Sequence, residues 1–253
     1  MNNMATLDDE FLHEVKSHFV NNNLGSTKWI PFSLTHVEYP QGDFLGRMLA
    51  FISLTPFAVI VGFVTLILFR RDLHTISYFI GVIANEIVGL LLKYTIKEAR
   101  PMRRDIVYME YGMPSAHSQF MWFFTTYTTL FVCFRMHLNN NSTVTERLWR
   151  WTIIIGCAIV ATLVTFSRIY LQYHTISQVF CGFLAGTTMG IVWFYITHLV
   201  LTPLFPIIVS WRISEYLLLR DTTLIPNVLW FEYTNIRTET RARSRKLVSM
   251  KSQ

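Results

Sequence analysis

The sequence predicts an all-α membrane protein, a polytopic bundle of about five transmembrane helices. Its 253 residues are 52% hydrophobic and only 15% charged, whereas a soluble domain carries about 25% charged residues. Several apolar runs reach the roughly 20 residues with which a helix crosses a bilayer. The length favours a single domain, and the composition excludes disorder except at the two ends.

Five apolar runs are the predicted spans, and two of them carry further signals. The runs are approximately Leu49–Phe69, Ile76–Ile96, Ser118–Phe134, Trp151–Phe166 and Val179–Val200. Asn85 and Glu86 in the second run are costly to expose to lipid, so we expect them to face the bundle interior. Gly182, Gly186 and Gly190 in the fifth run lie four residues apart, a spacing that lets another helix approach closely.

Basic residues predict the orientation of the bundle. With five spans, Arg70, Arg71 and the basic stretch Arg237–Lys251 share one side of the membrane, which the positive-inside rule makes cytosolic. The segments Lys93–His117 and Ser167–His174 then lie on the lumenal or extracellular face. We divide the chain into an N-terminal lumenal segment at 1–43, a transmembrane domain at 44–200, a membrane-associated segment at 201–236 and a basic cytosolic tail at 237–253.

Other features of the sequence exclude several classes of protein. The net charge is +6, but the sequence lacks the basic stripe with interleaved aromatics that is typical of a nucleic-acid-binding protein. Cys133, Cys157 and Cys181 lie in apolar runs without the short spacing of a disulfide framework or a zinc site. The first 30 residues lack the pattern of a cleaved signal peptide, so an internal segment is expected to enter the membrane. The apolar stretch Leu204–Trp211 is too short to span.

The loop after the second span is rich in basic residues, although the positive-inside rule predicts few of them on the lumenal face. The segment contains Lys93, Lys97, Arg100, Arg103 and Arg104. A phosphate ligand is the simplest reason for this charge, and an anchor facing lipid headgroups is the alternative. At the end of this loop, Ser115 is a good N-cap for the third helix, whose free N–H groups bind anions. His117 could donate a proton there, although a plain cap with an interfacial histidine is the more frequent meaning of such a pattern.

A third segment, Ser167–His174, precedes the last span. Arg168 offers a planar fork for phosphate oxygens, and His174 offers an imidazole that can attack phosphorus. Gln178, one helical turn later, can reach the other ring nitrogen. An Arg and a His in an ordinary interfacial loop are the alternative.

The convergence of these segments at helix ends on one face indicates phosphoryl transfer. That reaction needs positive charge around the phosphate oxygens, an in-line nucleophile and an acid for the leaving oxygen. Lys93, Arg100 and Arg168 supply the charge, and each of the two histidines can supply one of the other functions. Because no acidic cluster or His pair has metal-ligand spacing, we expect a metal-free, cofactor-free mechanism through a phosphohistidine.

At these residues the sequence resembles the type 2 phosphatidic acid phosphatase and vanadium haloperoxidase superfamily. The patterns Lys93-x6-Arg100-Pro101, Pro114-Ser115-Ala116-His117 and Ser167-Arg168-x5-His174 look like its three signature motifs, in order and at suitable separations. The resemblance implies that His174 is the nucleophile and that His117 protonates the leaving group. It implies a phosphate-binding set of Lys93, Arg100, Ser115 and Arg168, with Arg168 also counted as catalytic.

Two residues depart from the family pattern. Ala116 stands where the family usually has Gly, a mild change in a helical backbone. Gln178 stands where the family has an Asp behind the nucleophile. An Asp would hold the imidazole tautomer and stabilise its cation, whereas a Gln can do the first through its carbonyl and the second only weakly.

Further segments narrow the resemblance to the eukaryotic subgroup that acts on polyprenyl (dolichyl) diphosphate. They are LTHVEYP at 34–40, SQFMWFF at 118–124, LTPLFP at 201–206 and RDTTLIPNVLWFEYT at 220–234, and Gln178 is also similar to that subgroup. This implies a multi-pass enzyme of the endoplasmic reticulum with a lumenal site, which recycles dolichyl diphosphate to dolichyl phosphate for N-glycosylation. Two alternatives stay open: a phosphatase of the same fold for another lipid, such as phosphatidate or sphingoid phosphate, and a catalytically silent membrane protein or transporter.

Overall fold

The structure is a computed structural model that describes residues 29–31, 37–101, 111–135, 144–225 and 228–251. Two short strands come first, and helices make up nearly all of the rest. The strands are β1 (Trp29–Pro31) and β2 (Glu38–Pro40), which pair antiparallel. The long helices are α1 (Phe44–Ile52), α2 (Thr55–Arg70), α3 (Leu73–Ile96), α4 (Ala116–Leu130), α5 (Val144–Tyr170) and α6 (Ile176–Ile196). They are followed by α7 (Thr202–Val209), α8 (Arg212–Tyr216) and α9 (Val228–Lys251).

The predicted all-α membrane bundle is confirmed. Within the described ranges, four helical segments are long and apolar enough to cross a bilayer: Phe44–Arg70, Leu73–Ile96, Arg147–Tyr170 and Ile176–Val209. They correspond to the first, second, fourth and fifth predicted spans. The predicted third span is α4, which a π-helical turn extends over Phe131–Arg135.

Helix α4 forms the centre of the bundle. It contacts α2, α3, α5 and α6, and its side chains Phe123 and Tyr127 are almost wholly buried. Because α4 meets protein rather than lipid on most sides, it can carry serine, threonine and glutamine residues, which make it less apolar than its neighbours α3 and α6.

The close approach predicted from the glycine spacing is confirmed between α4 and α6. A Cβ atom at Gly182 would lie 2.7 Å from the Ser115 carbonyl oxygen, and one at Gly186 would clash with the Gln119 carbonyl oxygen. Backbone atoms of the two helices therefore touch along this seam. The same packing brings the N-terminal ends of α4 and α6 side by side.

The predicted interior position of Asn85 is confirmed. Asn85 of α3 is fully buried, and the Gln119 side-chain amide donates to its backbone carbonyl at 2.7 Å and to its Oδ1 at 3.1 Å. Glu86, beside it, is half-buried. Polar side chains in the bilayer core thus meet each other across α3 and α4.

The C-terminal part of the last span differs from the prediction. The stretch Leu204–Trp211 is not a separate short segment, because a π-helical turn at Thr197–Leu201 joins α6 to α7 and gives one helical segment, Ile176–Val209. Pro203 directly follows this π-helical turn, in which the Thr202 N–H donates to the Thr197 carbonyl, and Pro206 lies inside α7. The proposed domain boundary at residue 200 falls inside this segment.

The segment after α8 folds back on the turn between α2 and α3. The Leu73 N–H donates to the Arg220 carbonyl at 3.0 Å, and the Arg220 N–H donates to the Arg71 carbonyl at 2.9 Å. The Thr222 hydroxyl donates to Asp72 Oδ1 at 2.6 Å. These contacts lie at the end of the bundle opposite to His174, because α3 begins there and α6 runs towards it.

Candidate active site

A tight turn between α5 and α6 holds His174. Gln172 adopts a left-handed backbone conformation with a φ of 55°, and the backbone N–H of His174 donates to the Arg168 carbonyl at 3.2 Å. Thr175 caps α6, since its hydroxyl accepts from the Gln178 N–H at 3.3 Å. Fixed on both sides by helix ends, the His174 side chain is only 4% exposed.

The tautomer of the His174 ring follows from its neighbours. Nδ1 lies 3.1 Å from Gln178 Oε1, and Nε2 lies 3.5 Å from Arg100 Nη1. The Gln178 carbonyl oxygen can only accept, so Nδ1 carries the proton. Nε2 then keeps its lone pair and faces the guanidinium of Arg100, which can only donate.

Positive charge surrounds this imidazole. Burial lowers the pKa of His174 most, and Arg168 and Arg100 lower it further, to about 3. The ring is therefore neutral at pH 7, and its Nε2 is available as a nucleophile.

Two of the cations of the pocket lie at the C-terminal ends of helices. Lys93, in the last turn of α3, and Arg168, in the last turn of α5, are both buried. The Arg168 guanidinium lies 4.1 Å from the centre of the Tyr173 ring, and Tyr173 in turn accepts a hydrogen bond from the Glu38 N–H of β2 at 2.9 Å. Clustered basic side chains of this kind are suited to binding an anionic ligand such as a phosphate.

Ser115 is the N-cap residue of α4, although its side chain makes no capping hydrogen bond, and His117 lies in the first turn. Ser115 is fully buried, and its Oγ has no hydrogen-bond partner within the described part of the chain. Its backbone N–H donates to the Gln178 carbonyl at 3.0 Å, which ties the start of α4 to the start of α6. His117 is half-buried, and its electrostatic neighbours are Arg168, His174, Lys93 and Arg100. An unpaired buried hydroxyl at a helix N-terminus is suited to a phosphate oxygen.

The structure thus brings the six residues of the predicted pocket to one end of the bundle. Gln178 contacts the ring of His174, as its position four residues later suggested. Lys97 lies beside the pocket but is exposed, and Arg103 and Arg104 lie outside the described residues. Across the described ranges, no group of three or more His, Cys, Asp or Glu side chains could hold a metal ion.

Sequence reasoning missed one residue of this network, Glu98. The Gln178 side-chain amide donates to Glu98 Oε1 at 2.9 Å and to the Ala99 carbonyl at 2.8 Å. The sequence held one signal for it. Glu98 is a carboxylate within the first motif, and Gln178 is an amide where the family has a carboxylate.

Comparisons with known proteins show which family the chain resembles. Residues 74–201 match the family model of the PAP2 superfamily. The chain is 56% identical over 221 residues to Dolichyldiphosphatase 1 of Homo sapiens, an alignment that covers 87% of this chain and 93% of that protein. It is 34% identical over 177 residues to Dolichyldiphosphatase of Saccharomyces cerevisiae, covering 68% of this chain and 72% of that protein.

A solved structure supports the fold alone. It is the transmembrane PAP2-type phosphatidylglycerolphosphate phosphatase from Bacillus subtilis, with a TM-score of 0.50 and 20% identity. The match covers 63% of this chain and 80% of the bacterial chain.

Proposed function

This chain belongs to the PAP2 superfamily, and we propose on that basis that it hydrolyses dolichyl diphosphate to dolichyl phosphate and inorganic phosphate. The observation that carries the proposal is the neutral, buried His174, whose Nε2 faces a cluster of cations beside the buried hydroxyl of Ser115. The substrate class follows from the identity to relatives named dolichyldiphosphatase over most of both chains.

The proposed reaction has two phosphoryl-transfer steps. Lys93, Arg100, Arg168 and Ser115 bind the terminal phosphate, and His174 Nε2 attacks its phosphorus. The bond from phosphorus to the bridging oxygen breaks, dolichyl phosphate leaves, and His117 donates a proton to the departing oxygen. Water then attacks the phosphohistidine with His117 as the base, so that inorganic phosphate is released and His174 is restored.

The electrostatics of the pocket suit this sequence of steps. The cations that hold the pKa of His174 low also stabilise the negative charge on the transferred phosphoryl group. A bound diphosphate offsets the repulsion between these cations, so binding and activation depend on the same side chains. In the proposed intermediate His174 becomes cationic, and the phosphoryl group attached to it carries the balancing charge.

We propose that the enzyme lies in the membrane of the endoplasmic reticulum with its pocket on the lumenal face, where it recycles the lipid carrier of N-glycosylation. The distribution of basic residues supports this orientation. Arg70 and Arg71 lie at the end of the bundle opposite to His174, and α9, which is rich in arginine, follows the segment that docks at that same end.

The test is phosphate release by the purified protein in detergent or nanodiscs. We expect dolichyl diphosphate to be hydrolysed much faster than phosphatidate or a sphingoid phosphate. The intermediate is identified by quenching the reaction of terminally ³²P-labelled substrate and measuring whether the label on the protein survives acid or base. A phosphohistidine is acid-labile and base-stable. Faster turnover of phosphatidate would overturn the substrate assignment, and base-labile label would overturn the histidine intermediate.

A further inference from the structure

The side-chain amide of Gln178 is fully buried, and four hydrogen bonds use its polar atoms. Oε1 accepts from His174 Nδ1 at 3.1 Å and from the Thr175 N–H at 3.3 Å. Nε2 donates to Glu98 Oε1 at 2.9 Å and to the Ala99 carbonyl at 2.8 Å. Two acceptors on one side and a backbone donor on the other therefore determine which way the amide points.

Reversing the amide would break its hydrogen bonds with Thr175, Glu98 and Ala99. The NH₂ group would then face the Thr175 N–H, and the carbonyl oxygen would face the Glu98 carboxylate and the Ala99 carbonyl. His174 Nδ1 would have to accept from the reversed amide, which would move the ring proton to Nε2, the atom that must be unprotonated to attack phosphorus. Of the three groups that prevent this reversal, the Glu98 carboxylate is the charged one and therefore the strongest.

The backbone at Gly112 packs closely against the Gln178 amide. Gly112 lies over it, since a Cβ atom there would be 2.6 Å from Gln178 Oε1 and 2.9 Å from Nε2. The Gly112 N–H donates to the Glu98 carbonyl at 2.7 Å, and Tyr111 forms a β-bridge with Ala99. The segment that carries Glu98 is thus tied to the segment that covers Gln178.

We infer that Glu98, acting through the Gln178 amide, is a positioning residue that holds His174 in the tautomer with an unprotonated Nε2. The inference rests on the proposed function, because a nucleophilic His174 is what gives this tautomer its importance. The Glu98 carboxylate contacts Gln178, and it is Gln178 that contacts the imidazole. The carboxylate is linked to the nucleophile by the amide, in the same order of roles as an acid that orients a catalytic histidine.

The test is a double-mutant cycle between Glu98→Ala and Gln178→Asp, with two readouts. The first readout is kcat and KM for phosphate release from dolichyl diphosphate. We expect Glu98→Ala to lower kcat about tenfold with KM nearly unchanged, as is usual when a group that orients a catalytic residue is removed. In the Gln178→Asp background we expect the same change to be neutral or to raise kcat, since both oxygens of Asp can only accept and Glu98 becomes a like charge beside it.

The absence of a loss of kcat in the Gln178→Asp background separates positioning from a structural role, which would lower stability and turnover in both backgrounds. Glu98→Gln, which retains an acceptor oxygen, should restore part of kcat. Thr95→Ala, an exposed change on the same side of the bundle, is the matched control and should leave kcat unchanged. An equal loss from Glu98→Ala in both backgrounds, or no loss in either, would overturn the inference.

The second readout is ¹⁵N NMR of ring-labelled histidine, with the His174 signals assigned by their loss in His174→Ala. We expect a protonated Nδ1 and an unprotonated Nε2 in the unmodified chain, and a mixture of tautomers in Glu98→Ala. This measurement does not depend on the substrate. If the unmodified chain shows no turnover but Glu98→Ala shifts the tautomer, the proposed function is wrong and the positioning role is upheld. If the unmodified chain shows turnover but the tautomer is unchanged in Glu98→Ala, the positioning role alone is wrong.

Discussion

The two ends of the helix bundle use their charged residues in opposite ways. At the pocket end, Lys93 and Arg168 are buried around a neutral imidazole. At the other end, Arg70 and Arg220 are exposed, and both contact Glu232, at 3.6 Å and 3.4 Å. Buried like charges store unfavourable free energy that an anionic ligand relieves, whereas exposed ion pairs contribute little to stability. Function and folding should therefore respond separately at the two ends.

Two buried histidines give the largest contrast. His174 is held by Gln178 in the pocket, and His74 lies at the other end with Nε2 3.1 Å from the Thr223 hydroxyl. We expect His174→Ala to lower kcat by at least about 1,000-fold, because a covalent nucleophile has no substitute. His74→Ala should keep near-normal turnover and lose about 1–2 kcal/mol of stability through its packing and hydrogen bond. Phosphate release and thermal unfolding measure both effects, and retained turnover in His174→Ala would refute the nucleophile.

Neutralising one cation at each end sharpens the comparison. We expect Lys93→Met to lower kcat/KM by about 100-fold, because it removes charge that stabilises the transferred phosphoryl group. The same change should alter the unfolding temperature little, because the loss of repulsion from Arg100 offsets the loss of the attraction between Lys93 and Glu86. Arg70→Met, the matched change at the exposed end, should alter kcat/KM by no more than about twofold. A destabilised Lys93→Met with normal kcat/KM would mean that Lys93 has a structural role only.

A carboxylate placed behind the nucleophile should shift the pH dependence. The pKa of His174 is lowered to about 3, mainly by burial, so the acid limb of kcat/KM lies well below neutral pH. In Gln178→Asp a negative charge favours the protonated ring and raises that pKa, which moves the acid limb to higher pH by about 1–2 units. Activity is then lost at a higher pH than in the unmodified chain.

The matched control for this shift is Gln178→Asn, which stays neutral. Its kcat should fall because the shorter side chain reaches His174 less well, but its acid limb should stay where it is. Identical pH profiles for Gln178→Asp and the unmodified chain would mean that residue 178 does not act on the ring.

The sequence predicted those features that depend on local pattern. Apolar length identified the four long spans, the glycine spacing indicated that another helix packs closely against the fifth run, and the three motifs identified residues that the structure brings together. The contact between Glu98 and Gln178 could not be predicted, because the two residues are 80 positions apart and meet only through the fold of the 97–101 loop. The continuation of α6 into α7 was missed because Leu204–Trp211 is too short to span by itself, whereas a π-helical turn at Thr197–Leu201 joins it to α6.

The smallest expected effect tests the exposed end directly. Glu232→Gln removes the carboxylate shared by Arg70 and Arg220, whose side chains are 37% and 58% exposed. Such exposed pairs contribute about 0–1 kcal/mol, so we expect a small decrease in unfolding temperature and unchanged kcat. The backbone pairing of Arg220 with Arg71 and Leu73 remains and should keep the segment docked. A large loss of stability, measured by thermal unfolding at low and high salt, would show that this end also depends on its charges, and the contrast between the two ends would fail.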